Sequence, residues 1–323
     1  MSREPQDVSY AFGEALIELG KKNPRVIVVE SDLADSCRSH LFRTQFPERS
    51  VEVGVAEATA IEVGAGLAFS GKIPYVNTFA VFAAARTFDQ IRQTVAYGQA
   101  NVKICGAGGG LTLGYAGASH HSIEDMALMR ALPNMTVVAP SDAVETRQMV
   151  HAIAEIDGPV YMRLSRAKKP PIYDGGYRVE IGKAVVLREG SDVTLFAISD
   201  MVFEALEAAE TLATKGISAE VINVHTLKPL DIEGIVRSAR KTGAVVTIED
   251  HSIIGGLGGA IAECLGEHAP TPMRRIGLRD TFCESDSTMV LREAYGMAPS
   301  HVVEAAEEVM RVRGAVRGAV RGA

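Results

Sequence analysis

Short apolar segments alternate with amphipathic segments along most of the chain. Residues 9–21 carry apolar side chains at helical spacing, which predicts an amphipathic helix. Residues 25–30 form a short, continuous apolar run, typical of a strand buried in a parallel sheet. Residues 51–68 begin with apolar side chains at alternate positions and continue as a helix rich in alanine and glycine, and residues 73–77 predict the next strand. Such alternation predicts an α/β fold.

The alternation stops once and then resumes. Residues 167–177 contain two prolines, two glycines and two lysines, a composition typical of a linker. Beyond it, strands and helices alternate again up to a last helix over residues 300–311, which predicts a second parallel-sheet domain. The expected division is a first domain over 1–166, a linker over 167–185, a second domain over 186–312 and a disordered extension over 313–323.

One acidic residue stands where the second predicted strand meets its helix. Glu57 comes at the expected carboxyl end of that strand, and ligands of open α/β sheets bind in the crevice at such ends. The polar residues 31–36 follow the first strand, so we expect them at the same edge of the sheet. Glu57 is therefore a candidate for chemistry. The alternative is a solvated acid that interacts favourably with the helix dipole.

Two aromatic residues follow the third predicted strand. Phe79 and Phe82 are three residues apart and could lie on one face of a helical turn. They are either ordinary core aromatics or a wall for a flat heteroaromatic ring.

A glycine-rich loop and a histidine pair follow the fourth strand. The dinucleotide-binding fingerprint fails over residues 103–117, because Leu111 stands where its third glycine is required. The lysine and hydroxyl of a P-loop are absent as well. Adjacent His120 and His121 suggest a metal at first, but the sequence around them offers no further ligands to complete a site. One exposed and one hydrogen-bonded histidine is the simpler interpretation.

Composition narrows the class of protein. Of the 323 residues, 47% are hydrophobic and 23% are charged, as in soluble globular proteins. The formal net charge of -7 and the lack of a basic stripe argue against nucleic-acid binding. The four cysteines form no CxxC pair, so neither a zinc site nor a disulfide framework is expected. Without a signal-peptide pattern or an apolar run of about 20 residues, we expect a cytoplasmic protein that does not enter a membrane.

Four segments together resemble the transketolase family. They read GVAEATAIEVGAGLA, TFAVF, GASHHSIEDMALMRALPNMTVVAPSD and EDHSIIGGLGGAIAE. The similarity extends up to about Val312 and is to the C-terminal half of a transketolase, in particular to the smaller subunit of transketolases made of two chains. It implies a pyrimidine-binding domain followed by a transketolase C-terminal domain, and transfer of a two-carbon ketol unit from a ketose to an aldose.

The resemblance also implies a cofactor, thiamine diphosphate, which carries the chemistry while the protein positions and tunes it. Glu57 matches the family's glutamate that binds the aminopyrimidine ring nitrogen and activates the cofactor. Phe79 and Phe82 match the aromatic wall around the pyrimidine, and Asp32 and Leu33 match residues that line the thiazolium side.

Further residues match substrate positions of the family. His120 matches the histidine near the reactive carbon that assists proton transfers. Ser36 and Arg166 match positions that bind a substrate's phosphate, and a guanidinium fork binds phosphate, sulfonate or carboxylate with two hydrogen bonds. His121 and Tyr115 also fall at substrate-binding positions, where the family more often has glutamine and glutamate.

The chain departs from the family at three more positions. Gly108 and Ala116 stand where the family usually has a histidine that contacts phosphate and an aspartate that reads a donor hydroxyl. Ala85 replaces the third aromatic of the pyrimidine wall. Loss of a group that reads a hydroxyl can change discrimination by orders of magnitude. We therefore expect a donor of altered stereochemistry or a modified sugar, whose terminal anion Arg166 still binds.

A partner chain is also expected from the resemblance. In this family a GDG motif followed by an asparagine, on a separate N-terminal domain, holds the diphosphate and its Mg²⁺. This sequence contains no GDG. The expected partner is an N-terminal transketolase subunit that carries that domain and the metal, with active sites between the two chains in an α2β2 assembly.

Two other functions are compatible with the same domain order. The β subunit of a 2-oxo acid dehydrogenase would pass an acyl unit to a lipoyl carrier protein, and a non-catalytic subunit could also keep the fold. The GASHHSIEDMALMRALPNM and FCESDSTMVLREAYG segments favour transketolase over the first alternative. Retention of Glu57, Phe79 and His120 argues against the second.

Overall fold

The computed structural model describes residues 4–321, with side chains up to residue 315. The strands are β1 (Gln6–Asp7), β2 (Val26–Glu30), β3 (Ser50–Glu52), β4 (Ile73–Phe79), β5 (Lys103–Ala107), β6 (Thr136–Val138), β7 (Val160–Leu164), β8 (Lys168–Lys169), β9 (Val185–Arg188), β10 (Val193–Ala197), β11 (Ala219–Asn223), β12 (Thr226–Lys228), β13 (Val245–Ser252) and β14 (Met273–Leu278).

The helices lie between these strands and after the last of them. They are α1 (Val8–Lys22), α2 (Ala34–Cys37), α3 (His40–Gln45), α4 (Glu57–Phe69), α5 (Phe88–Gln90), α6 (Asp125–Ala131), α7 (Ala143–Ala154), α8 (Met201–Thr214), α9 (Ile232–Thr242), α10 (Leu257–His268), α11 (Thr288–Ala294) and α12 (Pro299–Arg321). Two π-helical segments, Phe82–Arg86 and Ile91–Tyr97, flank α5.

The first sheet, over the described residues, has seven strands in the order β12-β6-β7-β5-β4-β2-β3. Its neighbours run parallel, except that β12 pairs antiparallel with β6, with Thr226 opposite Val138. β12 comes from the second half of the chain. The two halves therefore share this sheet, which the alternation of strands and helices did not predict.

The second sheet, over the same residues, has five strands in the order β14-β13-β10-β11-β9. Its central strands run parallel, and β9 pairs antiparallel with β11 at the edge. Helices cover both sheets, which accounts for the continuous apolar strands of the sequence. The predicted α/β class with two consecutive parallel-sheet domains is confirmed.

The sequence pattern predicted the first helix correctly but predicted too long a strand before Glu57. The helix predicted over residues 9–21 is α1, and the carboxylate of Asp7 caps it by accepting a hydrogen bond from the Ser9 N–H at 2.8 Å. The strand before Glu57 is shorter than predicted, because β3 already ends at Glu52. Gly54 follows with a φ of +73°, a left-handed conformation that ends the strand and that glycine adopts without steric cost.

The predicted linker is packed against both halves. The ring of Tyr173 stacks on the ring of Tyr177, with their centroids 3.8 Å apart. The Tyr177 hydroxyl donates a hydrogen bond to Glu145 Oε1 on α7 at 2.9 Å, and Asn223 Nδ2 on β11 donates to the Tyr173 oxygen at 2.8 Å. Because α7 lies in the first half and β11 in the second, this segment helps to join them.

The last helix continues beyond its predicted end. The sequence predicted a helix over residues 300–311 and a disordered extension over 313–323, whereas α12 runs to Arg321; residues 322–323 lie outside the described part. Arg313 Nη1 donates hydrogen bonds to the carbonyls of Asp192 at 2.6 Å and Thr242 at 2.7 Å. The helix therefore continues past this anchor, although residues 314–321 combine the strong helix formers alanine and arginine with the weaker glycine and valine. None of the helices in the described part is both long and apolar enough to cross a membrane.

Helix α4 lies against β4 at a glycine. A Cβ added at Gly64 would lie 2.6 Å from Cγ2 of Val76, whereas a Cβ at Gly66 would meet nothing within 4 Å. Both residues belong to the same helix, but only the first faces the sheet. Helix α4 therefore packs closely against strand β4 at Gly64, where a larger residue would clash.

We predict that Gly64→Val lowers the free energy of unfolding by about 2–3 kcal/mol, because the added methyl groups overpack the interface between α4 and β4. Gly66→Val is the matched control, and its effect should stay within about 0.5 kcal/mol because the site is open. Urea unfolding of the two variants measures both values. An equal decrease in the free energy of unfolding for both variants would contradict the close packing at Gly64.

Candidate functional site

Glu57 is a buried acid at the carboxyl edge of the first sheet. It is the first residue of α4 and only 4% exposed. Its two carboxylate oxygens accept hydrogen bonds from Arg86 Nη1 at 2.9 and 3.0 Å. The alternative of a solvated acid is therefore wrong. Burial of a charge requires a partner, and in this structure the partner is a guanidinium.

Arg86 is the residue at this site that the sequence did not reveal. It ends the π-helical segment Phe82–Arg86, and its side chain is 52% exposed. Its guanidinium carbon lies 4.4 Å from the centroid of the Phe82 ring, within the range of a cation–π contact. The spacing of four residues between Phe82 and Arg86 is compatible with this contact, but nothing local connects Arg86 to Glu57.

Phe79, Phe82 and His120 form an aromatic group beside Glu57 and Arg86. The ring centroids of the two phenylalanines are 6.1 Å apart. The imidazole of His120 lies edge-on to both, 6.1 Å from Phe79 and 5.4 Å from Phe82. Phe79 and Phe82 lie at the end of β4, and His120 follows the neighbouring strand β5; because these strands are parallel, their carboxyl ends meet at one edge. The structure thus assembles the predicted catalytic pair and the predicted aromatic wall.

Leu33 packs against the phenylalanines of this aromatic group, whereas the neighbouring Asp32 is exposed to solvent. Leu33 packs in a cluster with Cys37, Phe79 and Phe82. Asp32 is exposed and has a φ of +58°, and its N–H donates a hydrogen bond to a side-chain oxygen of Glu52 at 2.8 Å. Of the two residues predicted to line the thiazolium side, Leu33 contacts the aromatic wall directly.

Ser36 and Arg166 lie next to this apolar cluster. Both are half-buried, and Ser36 precedes Cys37 on α2. Burial raises the pKa of the Cys37 thiol to about 12, and the nearby positive charge of Arg166 opposes that shift. The Arg166 side chain makes no hydrogen bond or ion pair with the described residues. It lines a cavity of about 410 Å³ between the two halves, whose other charged lining residues are two cations and four acids: Lys169, Arg292, Asp200, Glu204, Glu207 and Glu293.

The two remaining predicted residues lie on the glycine-rich loop. His121 is 2% exposed, and its Nε2 is 2.9 Å from the Gly114 carbonyl, to which it donates a hydrogen bond. It therefore supports the loop from inside. His120 is half-buried, with Nδ1 3.0 Å from Ser119 Oγ. The Tyr115 side chain is 73% exposed and points away from the protein interior.

The arrangement suits a flat heteroaromatic ring with a nitrogen that can carry a proton. Glu57 offers carboxylate oxygens at the buried edge, the two phenyl rings offer apolar contact, and His120 offers an imidazole that can move a proton. These residues fit the pyrimidine end of thiamine diphosphate. Among residues 4–321, no three His, Cys, Asp or Glu side chains are grouped so as to hold a metal ion.

Comparison with known proteins agrees with this geometry. Residues 4–171 match the family model described as transketolase, pyrimidine binding domain, and residues 182–302 match the model described as transketolase, C-terminal domain. The two models cover both sheets in the predicted order. Their thiamine-dependent family implies thiamine diphosphate as the cofactor.

Individual relatives belong to split enzymes of this family. The chain is 48% identical over 298 residues to the 6-deoxy-6-sulfo-D-fructose transketolase subunit SqwH of Clostridium sp. (strain MSTE9), with 92% of each chain covered. It is 36% identical to one of the subunits of the apulose-4-phosphate transketolase of Phocaeicola vulgatus, over 93% of this chain and 96% of that one.

A solved structure gives the same result. The fold matches a structure described as a split gene transketolase, inactive beta4 tetramer, with a TM-score of 0.88 and 46% identity, over 95% of this chain and 99% of that chain. The resemblance to a split transketolase subunit is thus confirmed, and the 2-oxo acid dehydrogenase alternative is not favoured. The chain belongs to the transketolase family and is similar over almost its whole length to subunits of split transketolases.

Proposed function

We propose that the chain is the C-terminal subunit of a split transketolase, which moves a two-carbon ketol unit from a ketose to an aldose. The observation that carries the proposal is the buried carboxylate of Glu57 beside the rings of Phe79, Phe82 and His120. When bound, thiamine diphosphate supplies the electron sink that lets the bond next to the donor carbonyl break. The residues of this chain position it and move protons.

Each residue of the group has a distinct task in this proposal. Glu57 holds a proton shared with the pyrimidine ring nitrogen, and its burial strengthens that hydrogen bond because water is excluded. Phe79 and Phe82 contact the faces of the ring. His120 gives and takes protons at the oxygen atoms of the substrate. Arg86 Nη1 occupies one side of both Glu57 oxygens, and a carboxylate has about four acceptor positions, so Glu57 keeps positions for the ring nitrogen.

A partner chain is part of the proposal. We infer that an N-terminal transketolase subunit holds the diphosphate and Mg²⁺, and that the two chains form an α2β2 assembly with active sites between them. The names of the relatives support this, since SqwH and the apulose-4-phosphate protein are each called a subunit. A structure of a related chain is described as an inactive beta4 tetramer, which supports a requirement for the second chain.

The donor is proposed to carry a terminal anion. Arg166 supports this, because its half-buried guanidinium makes no hydrogen bond or ion pair with the described residues and its charge acts on the thiol of Cys37, the neighbour of Ser36 in the chain. Such a fork binds phosphate and sulfonate equally well in geometry. The two named relatives act on a sulfonated and a phosphorylated ketose, as their names state. Gly108 and Ala116, which lack the family's polar groups, favour a donor other than xylulose 5-phosphate.

We expect the tagged chain to co-purify from its own cells with a second polypeptide and with thiamine diphosphate. The complex should then show a higher kcat/KM for 6-deoxy-6-sulfo-D-fructose or apulose 4-phosphate than for xylulose 5-phosphate. Recovery of the chain alone and free of cofactor would favour a non-catalytic subunit. A best kcat/KM for xylulose 5-phosphate would refute the proposed donor class.

Glu57→Gln should lower kcat of the reconstituted enzyme by about 100-fold or more, because the amide cannot share the proton at the pyrimidine nitrogen. Co-purification of the partner chain should not change, since the substitution keeps the shape of the side chain. Glu62→Gln is the matched control, because Glu62 is exposed on the same helix. Full activity of Glu57→Gln would remove Glu57 from the mechanism.

The ion pair itself can be tested on the chain alone by urea unfolding. Arg86→Met should lower the free energy of unfolding by about 1 kcal/mol, the lower end of the range for an unpaired buried group, because water screens the half-exposed guanidinium. Combining it with Glu57→Gln should restore most of this loss, since the amide is neutral. Additive effects of the two substitutions would show that the residues do not interact.

A further inference from the structure

The second half of the chain holds the glycine-rich loop of the first half by its backbone. Asp250 Oδ1 accepts a hydrogen bond from the Leu111 N–H at 3.0 Å. Thr288 Oγ1 donates one to the Leu111 carbonyl at 3.1 Å, and Ser285 Oγ donates one to the Tyr115 carbonyl at 2.5 Å. We propose that Ser285 and Thr288 are positioning residues that fix the loop carrying His120, an inference that rests on the proposed function.

The loop is held in part by its own backbone. Gly110 exchanges two hydrogen bonds with Ser122 at its base, and the 3-10 turn Gly114–Ala116 lies between them. Because glycine-rich segments lose much conformational entropy on ordering, contacts from outside the loop add to its stability. At Gly114 φ is +45°, and a Cβ there would lie 2.7 Å from the carbonyl oxygen of Asp286. The loop is thus pressed directly against the segment that contains Ser285 and Thr288.

The contacts that Ser285 and Thr288 make with the loop, called the clamp below, lie close in the chain to the proposed catalytic histidine. The turn that ends at His120 is closed by a hydrogen bond from the His120 N–H to the Gly117 carbonyl at 2.9 Å. Tyr115, which Ser285 holds, lies two residues before Gly117. A displacement of the backbone at Tyr115 is therefore passed through a short, closed turn to the imidazole beside Phe82.

Asp250, which also holds the loop, belongs to a buried network of charged side chains. This network is called the buried anchor below. Asp250 Oδ2 accepts a hydrogen bond from Arg292 Nη2 at 2.7 Å, and Arg292 Nη2 also lies 2.7 Å from Asp200 Oδ2. The Asp250 carbonyl accepts a further bond from Arg163 Nη2 at 2.5 Å, and the same nitrogen donates to the Ser122 carbonyl at 3.3 Å. Substitution within this network would leave buried charges unpaired.

Ser285 and Thr288 are better probes than the buried anchor. Ser285 is exposed and Thr288 is half-buried, so loss of either hydroxyl leaves no buried charge without a partner. Ser285→Ala and Thr288→Val remove the donors with little change of volume. Ser285→Thr and Thr288→Ser keep a hydroxyl and serve as rescue variants. Ser300→Ala is the matched control in the same half, because Ser300 Oγ contacts only His301 in the described structure, at 3.4 Å.

The first measurement is hydrogen exchange on the full chain without its partner. In the Ser285→Ala/Thr288→Val double variant, amides over residues 111–121 should exchange about tenfold faster, since local opening is governed by local stability. Amides of α4 should exchange as in the original chain. Ser300→Ala and the rescue variants should leave the loop unchanged. Unaltered exchange over 111–121 in the double variant would overturn the clamp.

The second measurement uses the reconstituted complex with a ketose donor panel. The double variant should lower kcat for the best donor about tenfold, or about 1.4 kcal/mol, because a displaced His120 transfers protons less well, while the dissociation constant for thiamine diphosphate stays the same. The rescue variants should restore kcat. A loop that exchanges faster with an unchanged kcat would refute a role in positioning His120. If the original complex transfers no ketol unit, the proposed function fails, and the exchange result alone then decides the clamp.

Discussion

A buried carboxylate is the constraint on which the site depends. Glu57 is 4% exposed, and a charge in such a place is costly unless a partner compensates it. The chain supplies Arg86, whose guanidinium also lies on the ring of Phe82. The pair therefore ties the start of α4 to the segment that follows β4. The same burial underlies the role that we propose for Glu57, a hydrogen bond with the ring nitrogen of the cofactor.

The two halves of the chain act as one structural unit around this site. β12 of the second half completes the first sheet, and the predicted linker packs on both halves through Tyr173 and Tyr177. Asp250 connects the buried Arg292 to the backbone of the loop before His120. The C-terminal domain thus contributes to the site without supplying a side chain to the aromatic group. In our proposal, the second half of the chain serves the site by holding the loop that carries His120.

The donor class that we propose rests on the side chains that the loop lacks as well as on those that it carries. Gly108 and Ala116 offer no polar side chain, His121 is turned inward to the Gly114 carbonyl, and the Tyr115 side chain is exposed. The group that we propose for the donor's terminal anion is the planar guanidinium of Arg166, which can bind two oxygens of one anion with parallel hydrogen bonds. These features support the proposed donor, a sugar that is bound through its terminal anion and whose hydroxyl groups are contacted by few polar side chains of this loop.

Periodicity in the sequence determined the order of strands and helices, and the family motifs determined which side chains meet at the sheet edge. Those features are local, so the placement of Glu57, Phe79, Phe82 and His120 at one sheet edge could be predicted without coordinates. Only the tertiary structure decided that Arg86 pairs with Glu57, that β12 joins the first sheet and that Ser285 holds the Tyr115 carbonyl. These contacts join residues 29 and 170 positions apart in two of the cases. Contacts of such long range leave no periodic pattern in the chain, because packing rather than local propensity brings the partners together.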